Sequence, residues 1–339
     1  MRIQKLISAA LLVCGFVSAS NPWRCIDLHS KQIEEGVQWV TQNCTQSPAP
    51  AQPDLTVNVV TVDLSNPNVR VRPAVADPKK SLQTVPDIAA LNPNFIVGIN
   101  GGYFWRVDIT DLWIDDVCWF KSREEANSPV SKDHVNNGVG DGLIKVDGVV
   151  YSNNCNCTGF SRPAVMSFDG DQSDVWVLHK GETVGDDVQT AIGAGPNLVS
   201  YNATSKEGFV DIPADDDNIN LLEFAANTAV GLKLDTETGK ATHILLVTTD
   251  GSDECGPTDP SCGLNMYALG GLLKEAYGVH KSISMDQGGS TTMWIKGERP
   301  DRNGVVSRSH SSEPDIDDTP RNVANGVFVE LLGKKTATQ

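Results

Sequence analysis

The stretch 242–295, THILLVTTDGSDECGPTDPSCGLNMYALGGLLKEAYGVHKSISMDQGGSTTMWI, decides how the chain is read. Thr242 to Thr249 is a short apolar run of β-type residues and predicts a buried strand, ending in Asp250-Gly251. Leu264 to Tyr277 carries Leu264, Leu269, Leu272, Leu273 and Ala276 on one face at helical spacing, although Gly270 and Gly271 lie inside it. Gly278 is placed as its left-handed stop. Ser282 to Met285 then reads as a second strand, ending in Asp286-Gln287-Gly288-Gly289-Ser290. Strand, helix, strand predicts a parallel crossover in which both strands deliver an aspartate at their carboxyl ends, where such sheets bind ligands. The expected fold class is therefore α+β: mixed β-sheets with few helices, including one strand–helix–strand crossover that carries the site.

Working outward, the chain reads mostly as strands and turns. Leu55 to Leu64 and Val69 to Arg72 alternate apolar and polar residues, as strands of a half-exposed sheet do. Ser81 to Leu91 predicts a short helix, and Phe95 to Ile99 a buried strand ending at Asn100-Gly101-Gly102-Tyr103-Phe104. Lys145 to Tyr151 predicts a hairpin turning at Asp147-Gly148. Two strands are expected around Asp169-Gly170-Asp171, a tight turn at Gly195-Pro196, and a second hairpin joined around Glu237-Thr238-Gly239. No repeat of fixed period is present, which argues against a solenoid or propeller.

The 339 residues carry 27 Lys+Arg against 43 Asp+Glu, a net charge of -16. That excess excludes a nucleic-acid surface, which needs a basic stripe, and disfavours docking on an anionic membrane. Arg2 and Lys5, the apolar stretch Ile7 to Val17, and Val17-Ser18-Ala19 form an export signal over 1–19. Lipoprotein processing at Cys14 is the rival reading, and the bulky Val13 before it argues against that. No other stretch approaches the roughly 18 apolar residues of a membrane span, so the expected location is secreted. The expected organisation is a signal peptide (1–19), a Cys-tied segment and linker (20–54), a main domain (55–333) and a tail (334–339).

Removal of Cys14 leaves seven of the eight cysteines, in a compartment where disulfides persist. Cys25–Cys44 and Cys255–Cys262 read as local pairs. Cys118 is expected to bridge to Cys155 or Cys157, leaving one cysteine over. No C-x-x-C pair is present, and Cys155-Asn156-Cys157 is too close for zinc-ligand spacing. Asn43, Asn156 and Asn202 head glycosylation sequons.

Asp286-Gln287-Gly288-Gly289-Ser290-Thr291-Thr292 is the most informative local feature. The strand-like Thr291 to Ile295 follows and the Gly-Lys-Ser/Thr step is missing, so it is no phosphate loop opening a helix. A plain hairpin turn and a turn that presents Asp286, Ser290 and Thr291 to a ligand both fit. None of the six histidines stands in H-E-x-x-H, and Ser290 lacks the G-x-S-x-G setting, so neither a zincin nor a serine hydrolase is supported. His243, inside a strand, reads as a core residue. Asp215-Asp216-Asp217 lacks the alternation of a calcium-binding loop and reads as a solvated loop, a structural Ca²⁺ being the alternative. No other metal or cofactor is expected. Asp250 and Asp286, on neighbouring strands, would form the carboxylate pair that glycoside hydrolysis uses; the bland alternative is that they cap turns.

The ordered set Asn100-Gly101-Gly102-Tyr103-Phe104, Thr190 to Pro196, Thr228 to Gly231, Thr249-Asp250-Gly251, Asp286 to Met293 and Arg321 to Asn325 resembles the phosphodiester glycosidase family, over about residues 55–332. The resemblance implies hydrolysis between a sugar's anomeric carbon and a phosphodiester oxygen. It implies Asp286 as general base or nucleophile with Asp250 as its partner, and Asn100, Gly101, Ser290, Thr291 and Asn325 around the sugar. Arg321, Arg162 and the Gly288-Gly289 backbone are the candidates for the phosphate. Two positions depart from the family pattern: Asn227 stands where an Arg is usual, and Gln287 replaces a Gly. The expected partner is a carbohydrate or glycan-phosphate substrate, not nucleic acid or membrane. A carbohydrate-binding protein without turnover and a metal-dependent phosphodiesterase are the rival classes.

Overall fold

The computed structural model describes residues 23–47, 55–77, 82–104, 142–152, 164–178, 182, 184–212, 221–252, 262–310 and 320–333. The expected signal peptide, the linker beyond residue 47, Cys118, Cys155, Cys157, Cys255, the Asn156 sequon, Arg162, Asp215–Asp217 and the tail lie outside these residues.

Three antiparallel sheets make up the body. The largest has eight strands, in the spatial order β1 (Trp23–Glu34), β2 (Val37–Gln46), β3 (Leu55–Asp63), β14 (Ala241–Thr249), β13 (Asn227–Leu234), β16 (Lys281–Ser284), β11 (Asn197–Asn202) and β12 (Glu207–Val210). A second sheet runs β17 (Met293–Ile295), β5 (Phe95–Asn100), β19 (Asn325–Leu331), β4 (Val69–Val75). The third runs β7 (Val149–Ser152), β6 (Ile144–Val146), β10 (Ala191–Ala194), β8 (Ala164–Ser167), β9 (Val175–Val177). A two-residue parallel ladder joins β15 (Gly251–Ser252) to β18 (Ser309–His310). The described residues hold two α-helices, α1 (Val85–Ala89) and α2 (Met266–Glu275).

The fold is therefore mainly β, and the expected α+β class is overturned. The strands β14 and β16 do not form a crossover pair, because β13 lies between them and runs antiparallel to both. The physical reason is local. The chain turns at Gly239 (φ +72°), and β13 and β14 zip up as a hairpin before α2 is reached, so the slot beside β14 is already filled.

The central strands β3, β14 and β13 of the large sheet are mostly buried on both faces, which corrects the half-exposed reading of 55–64. Period-two alternation sends Val60 and Val62 of β3, Ile244 and Leu246 of β14, and Val230 and Leu232 of β13 towards the other two sheets. Their neighbours Val57, Val59, Leu245, Val247 and Ala229 pack under α2, against Met266, Leu269, Leu272 and Leu273. Asn265 caps this helix by accepting from the Ala268 N–H (2.9 Å). Gly270 sits inside it because a Cβ there would press to 3.1 Å from the Leu198 carbonyl. Gly278 (φ +63°) ends it as expected, with Val279 N–H donating to Leu273 and Gly278 N–H to Lys274.

The helix expected over 81–91 is shorter, starting after the Thr84 cap, with Pro86 in its first turn. The Asp147-Gly148 hairpin forms with both residues left-handed (φ 49° and 81°). Cys25 and Cys44 face each other across β1 and β2 and are bonded as expected. Cys262 is also in a disulfide. Among the described residues no helix is long and apolar enough to cross a membrane.

Candidate active site

The face of the large sheet that looks at the other sheets turns polar along one row. Thr41, Asn58, Thr248 and Thr228 stand directly opposite one another across β2, β3, β14 and β13. Each of the four is two residues away, before or after, from a member of the apolar interlayer (Trp39, Val60, Leu246 and Val230), so alternation points them the same way. The row crosses to the second sheet where the Thr228 hydroxyl donates to Asn100 Oδ1 (2.7 Å) at the end of β5.

Asn100 is fully buried, and its side chain is spent on holding the chain together. Its Oδ1 also accepts from Thr292 N–H (3.0 Å), and its Nδ2 donates to the Asp286 carbonyl (2.8 Å). Asp286 N–H in turn donates to the Gly101 carbonyl, and Gly101 N–H to the Asn325 carbonyl, each at 3.0 Å. A Cβ on Gly101 would meet Asn325 Oδ1 at 2.0 Å, so only glycine fits between these loops. The half-buried Asp286 is thereby fixed by its backbone, and its Oδ1 accepts from the Gln287 N–H (3.0 Å).

The chain then makes a 3-10 turn over Gly288–Ser290. Gly288 takes φ +63°, and its N–H is tied to the Ala226 carbonyl (2.8 Å). Ser290 and Thr291 are buried, and neither hydroxyl has a hydrogen-bond partner among the described residues. The same holds for Gln287 Oε1 and for Asn325 Oδ1. Buried polar atoms are normally paired, so a concentration of them at one turn marks a place built to meet another polar group. The Arg321 guanidinium lies against this turn: a Cβ on Gly289 would stand 2.4 Å from its Nη2 and 2.6 Å from its Cζ.

Asp250 is placed differently from expectation. With β13 between their strands, the backbones at Asp250 and Asp286 are two strand spacings apart, about 10 Å, and not one. Asp250 N–H donates to the Thr56 carbonyl, and its Oδ1 accepts from the Arg308 N–H, both at 2.9 Å. Its carboxylate lines a cavity of about 310 Å³ together with Trp39, Thr41, Thr56, Arg299, Val306 and Arg308. The ladder β15–β18, flanking Asp250 and Arg308, packs on the Gly288–Ser290 turn.

The structure thus gathers Asn100, Gly101, Asp286, Gly288, Gly289, Ser290, Thr291, Arg321 and Asn325 at one turn, with Asp250 on an adjoining cavity; Arg162 lies outside the described residues. Sequence reasoning missed Thr228 and Thr292, which hold Asn100, and Arg299 and Arg308. No local motif signals the two arginines, because their cavity is assembled from four separated segments. Asn227 is buried, with Nδ2 donating to the Ala225 and Leu264 carbonyls (2.8 and 2.7 Å). It has become a loop fastener. His243 is half-buried and not a core residue; its Nδ1 is 3.0 Å from the Thr242 hydroxyl. Among the described residues no three His, Cys, Asp or Glu side chains converge in a metal-holding group.

The protein is a glycosidase-type hydrolase on a mainly-β body. Residues 94–330 match the model of the phosphodiester glycosidase family, and the chain belongs to that family. That span begins just before β5 and includes every residue of the glycine turn. No curated protein matches the sequence at a significant level. The fold is similar to the catalytic domain of zebrafish N-acetylglucosamine-1-phosphodiester alpha-N-acetylglucosaminidase, auto-inhibited by its pro-peptide (TM-score 0.54, 17% identity, 92% of this chain and 85% of that one). It is also similar to a hypothetical protein from Synechocystis (TM-score 0.51, 14% identity, 89% and 63%).

Proposed function

We propose that the protein hydrolyses sugar-1-phosphodiesters or closely related glycosidic bonds outside the cell. The observation that carries this reading is the Gly288–Ser290 turn. A guanidinium packs on its backbone, and several buried polar atoms there lack partners. Arg321 supplies the fork that phosphate oxygens accept, in a protein whose overall charge otherwise repels anions. Ser290, Thr291 and Asn325 supply hydroxyl and amide groups for a sugar. Asp286 stands at the mouth of the turn as general base or nucleophile, and Asp250 is the second carboxylate. Water adds its oxygen to the anomeric carbon, the bond from that carbon to the phosphodiester oxygen breaks, and a phosphomonoester leaves. Because that leaving group is already a weak base, the site's main work is to stabilise an oxocarbenium-like transition state and activate water. Asn100 positions Asp286 and does not touch the sugar. Export is supported by the expected signal over 1–19 and by the Cys25–Cys44 disulfide.

The test is turnover of a sugar-1-phosphodiester in ¹⁸O-water. Label in the sugar's anomeric hydroxyl supports the proposal. Label in phosphate selects a phosphodiesterase, and binding without product selects a carbohydrate-binding protein. Asp286→Asn should lower turnover by about 10²–10⁴ with the melting temperature unchanged; full activity in that variant removes Asp286 from its role.

A further inference from the structure

The cavity beside Asp250 has a lining that the hydrolase reading does not yet use. Its volume, about 310 Å³, is at the lower end of the small-molecule range. Two arginines, Arg299 and Arg308, open onto it alongside the single carboxylate of Asp250, which already accepts the Arg308 N–H. In a chain with a net charge of -16, Arg299 and Arg308 offset Asp250 and the neighbouring Asp301, which leaves this cavity locally neutral in an otherwise acidic protein. Arg308 is exposed, and Arg299 pairs through Nε and Nη2 with the exposed Asp301 (3.2 and 2.9 Å). The apolar side of the cavity is Trp39 and Val306. Trp39, Thr41 and Thr56 come from β2 and β3, which precede the residues matched to the family.

We infer that this cavity is a subsite for the aglycone, and that it selects an aglycone bearing a second anionic group, a carboxylate or a phosphate, beyond the phosphodiester itself. The inference rests on the hydrolase reading for the word aglycone, since Asp250 is the residue shared by the cavity and the proposed reaction. The phosphodiester phosphate sits at Arg321 and Gly289, the leaving alcohol extends past Asp250, and its anionic end meets Arg299 and Arg308. Guanidinium groups match both carboxylate and phosphate geometry, so both are candidates for the terminal group.

The experiment compares ethyl, 2-aminoethyl, 2-carboxyethyl and 2-phosphoethyl esters of one sugar-1-phosphate. In parallel, calorimetry measures binding of the corresponding product phosphomonoesters. The 2-carboxyethyl or 2-phosphoethyl member should exceed the ethyl one in kcat/KM, and its product in affinity, by about tenfold for two partly exposed ion pairs. The better of the two identifies the terminal anion. The advantage should shrink in high salt. In the double variant Arg299→Asn, Arg308→Gln, the anionic-to-ethyl ratio should fall to near one. Asn is chosen at 299 because that residue is left-handed (φ 38°). Lys240→Gln, a surface change at the Asp171 ion pair, should leave the ratio as it is. A ratio near one in the unmodified protein, or a ratio that survives the double variant, overturns the subsite. Hydrolysis of none of the esters, with anionic products still bound preferentially through the two arginines, overturns the hydrolase reading and supports the anion site.

Discussion

The guanidinium of Arg321 occupies the space in which a side chain on Gly289 would begin. Glycine at 289 is therefore a packing requirement, imposed by an arginine 32 positions further along the chain and not by a left-handed backbone. Gly289→Ala should displace Arg321, and Arg321→Ala should remove it. Each should raise KM for a phosphodiester substrate several-fold to tenfold or more, since a charge-assisted contact is worth about 1.5–3 kcal/mol. The double variant should be little worse than either single one, because both delete the same interaction. Additive losses measured in that cycle would separate the two residues.

Asn100 carries three side-chain hydrogen bonds in a fully buried place, to Thr228, Thr292 and Asp286. Asn100→Ala leaves all three partners unpaired. We expect a loss of about 2–5 kcal/mol in urea denaturation. Asn100→Asp keeps the acceptor and replaces the donor to Asp286, so it should lower kcat more than it raises KM. A variant that unfolds at the same urea concentration as the parent would show that the row of hydroxyls is held from elsewhere.

Asn227→Arg restores the residue usual for the family and should not raise activity. Asn227 is buried, and its Nδ2 is already committed to the Ala225 and Leu264 carbonyls. A longer charged side chain would have to be accommodated at a buried position, and overpacking with an unpaired charge costs about 1–3 kcal/mol or more. The expected result is a lower melting temperature with kcat/KM unchanged or reduced.

Glu330 predicts acid sensitivity. Burial pushes its carboxyl up, but hydrogen bonds from Arg70 Nε and Asn92 Nδ2 (2.6 Å each) and the charges of Arg70 and Arg72 outweigh it, so its pKa lies below the ordinary 4.5. A depressed carboxylate stabilises the fold at pH values above its unfolded pKa. That contribution is lost as the pH falls from about 4.5 through the lower folded value. Asp63, lowered by the side-chain and backbone hydrogen bonds of Ser65, adds in the same direction. Glu330→Gln should be less stable at neutral pH and should lose less stability on going from pH 5 to pH 3. Parallel pH profiles of the two proteins by urea denaturation would refute this.

What was legible in the sequence was legible because its cause is local. The Asp147-Gly148 and Gly239 turns, the Gly278 helix stop and the Cys25–Cys44 pair each depend on a few neighbouring residues and on backbone angles that only some of them adopt. The ordered motifs around Asn100, Asp250, Asp286 and Arg321 pointed to the family later matched over 94–330. Only the tertiary structure decided the rest. Alternation alone cannot tell a half-exposed strand from one with cover on both faces, and the cover over 55–64 is supplied by α2 and the other sheets, which lie far away in sequence. Nor does a strand–helix–strand pattern say whether a third strand already fills the gap, and β13 does. The use made of each polar side chain was hidden for the same reason. Asn100 fastens Asp286, Asn227 fastens a loop, and Arg308 joins Asp250, because hydrogen-bond partners are fixed by which distant segments are buried together and not by spacing along the chain.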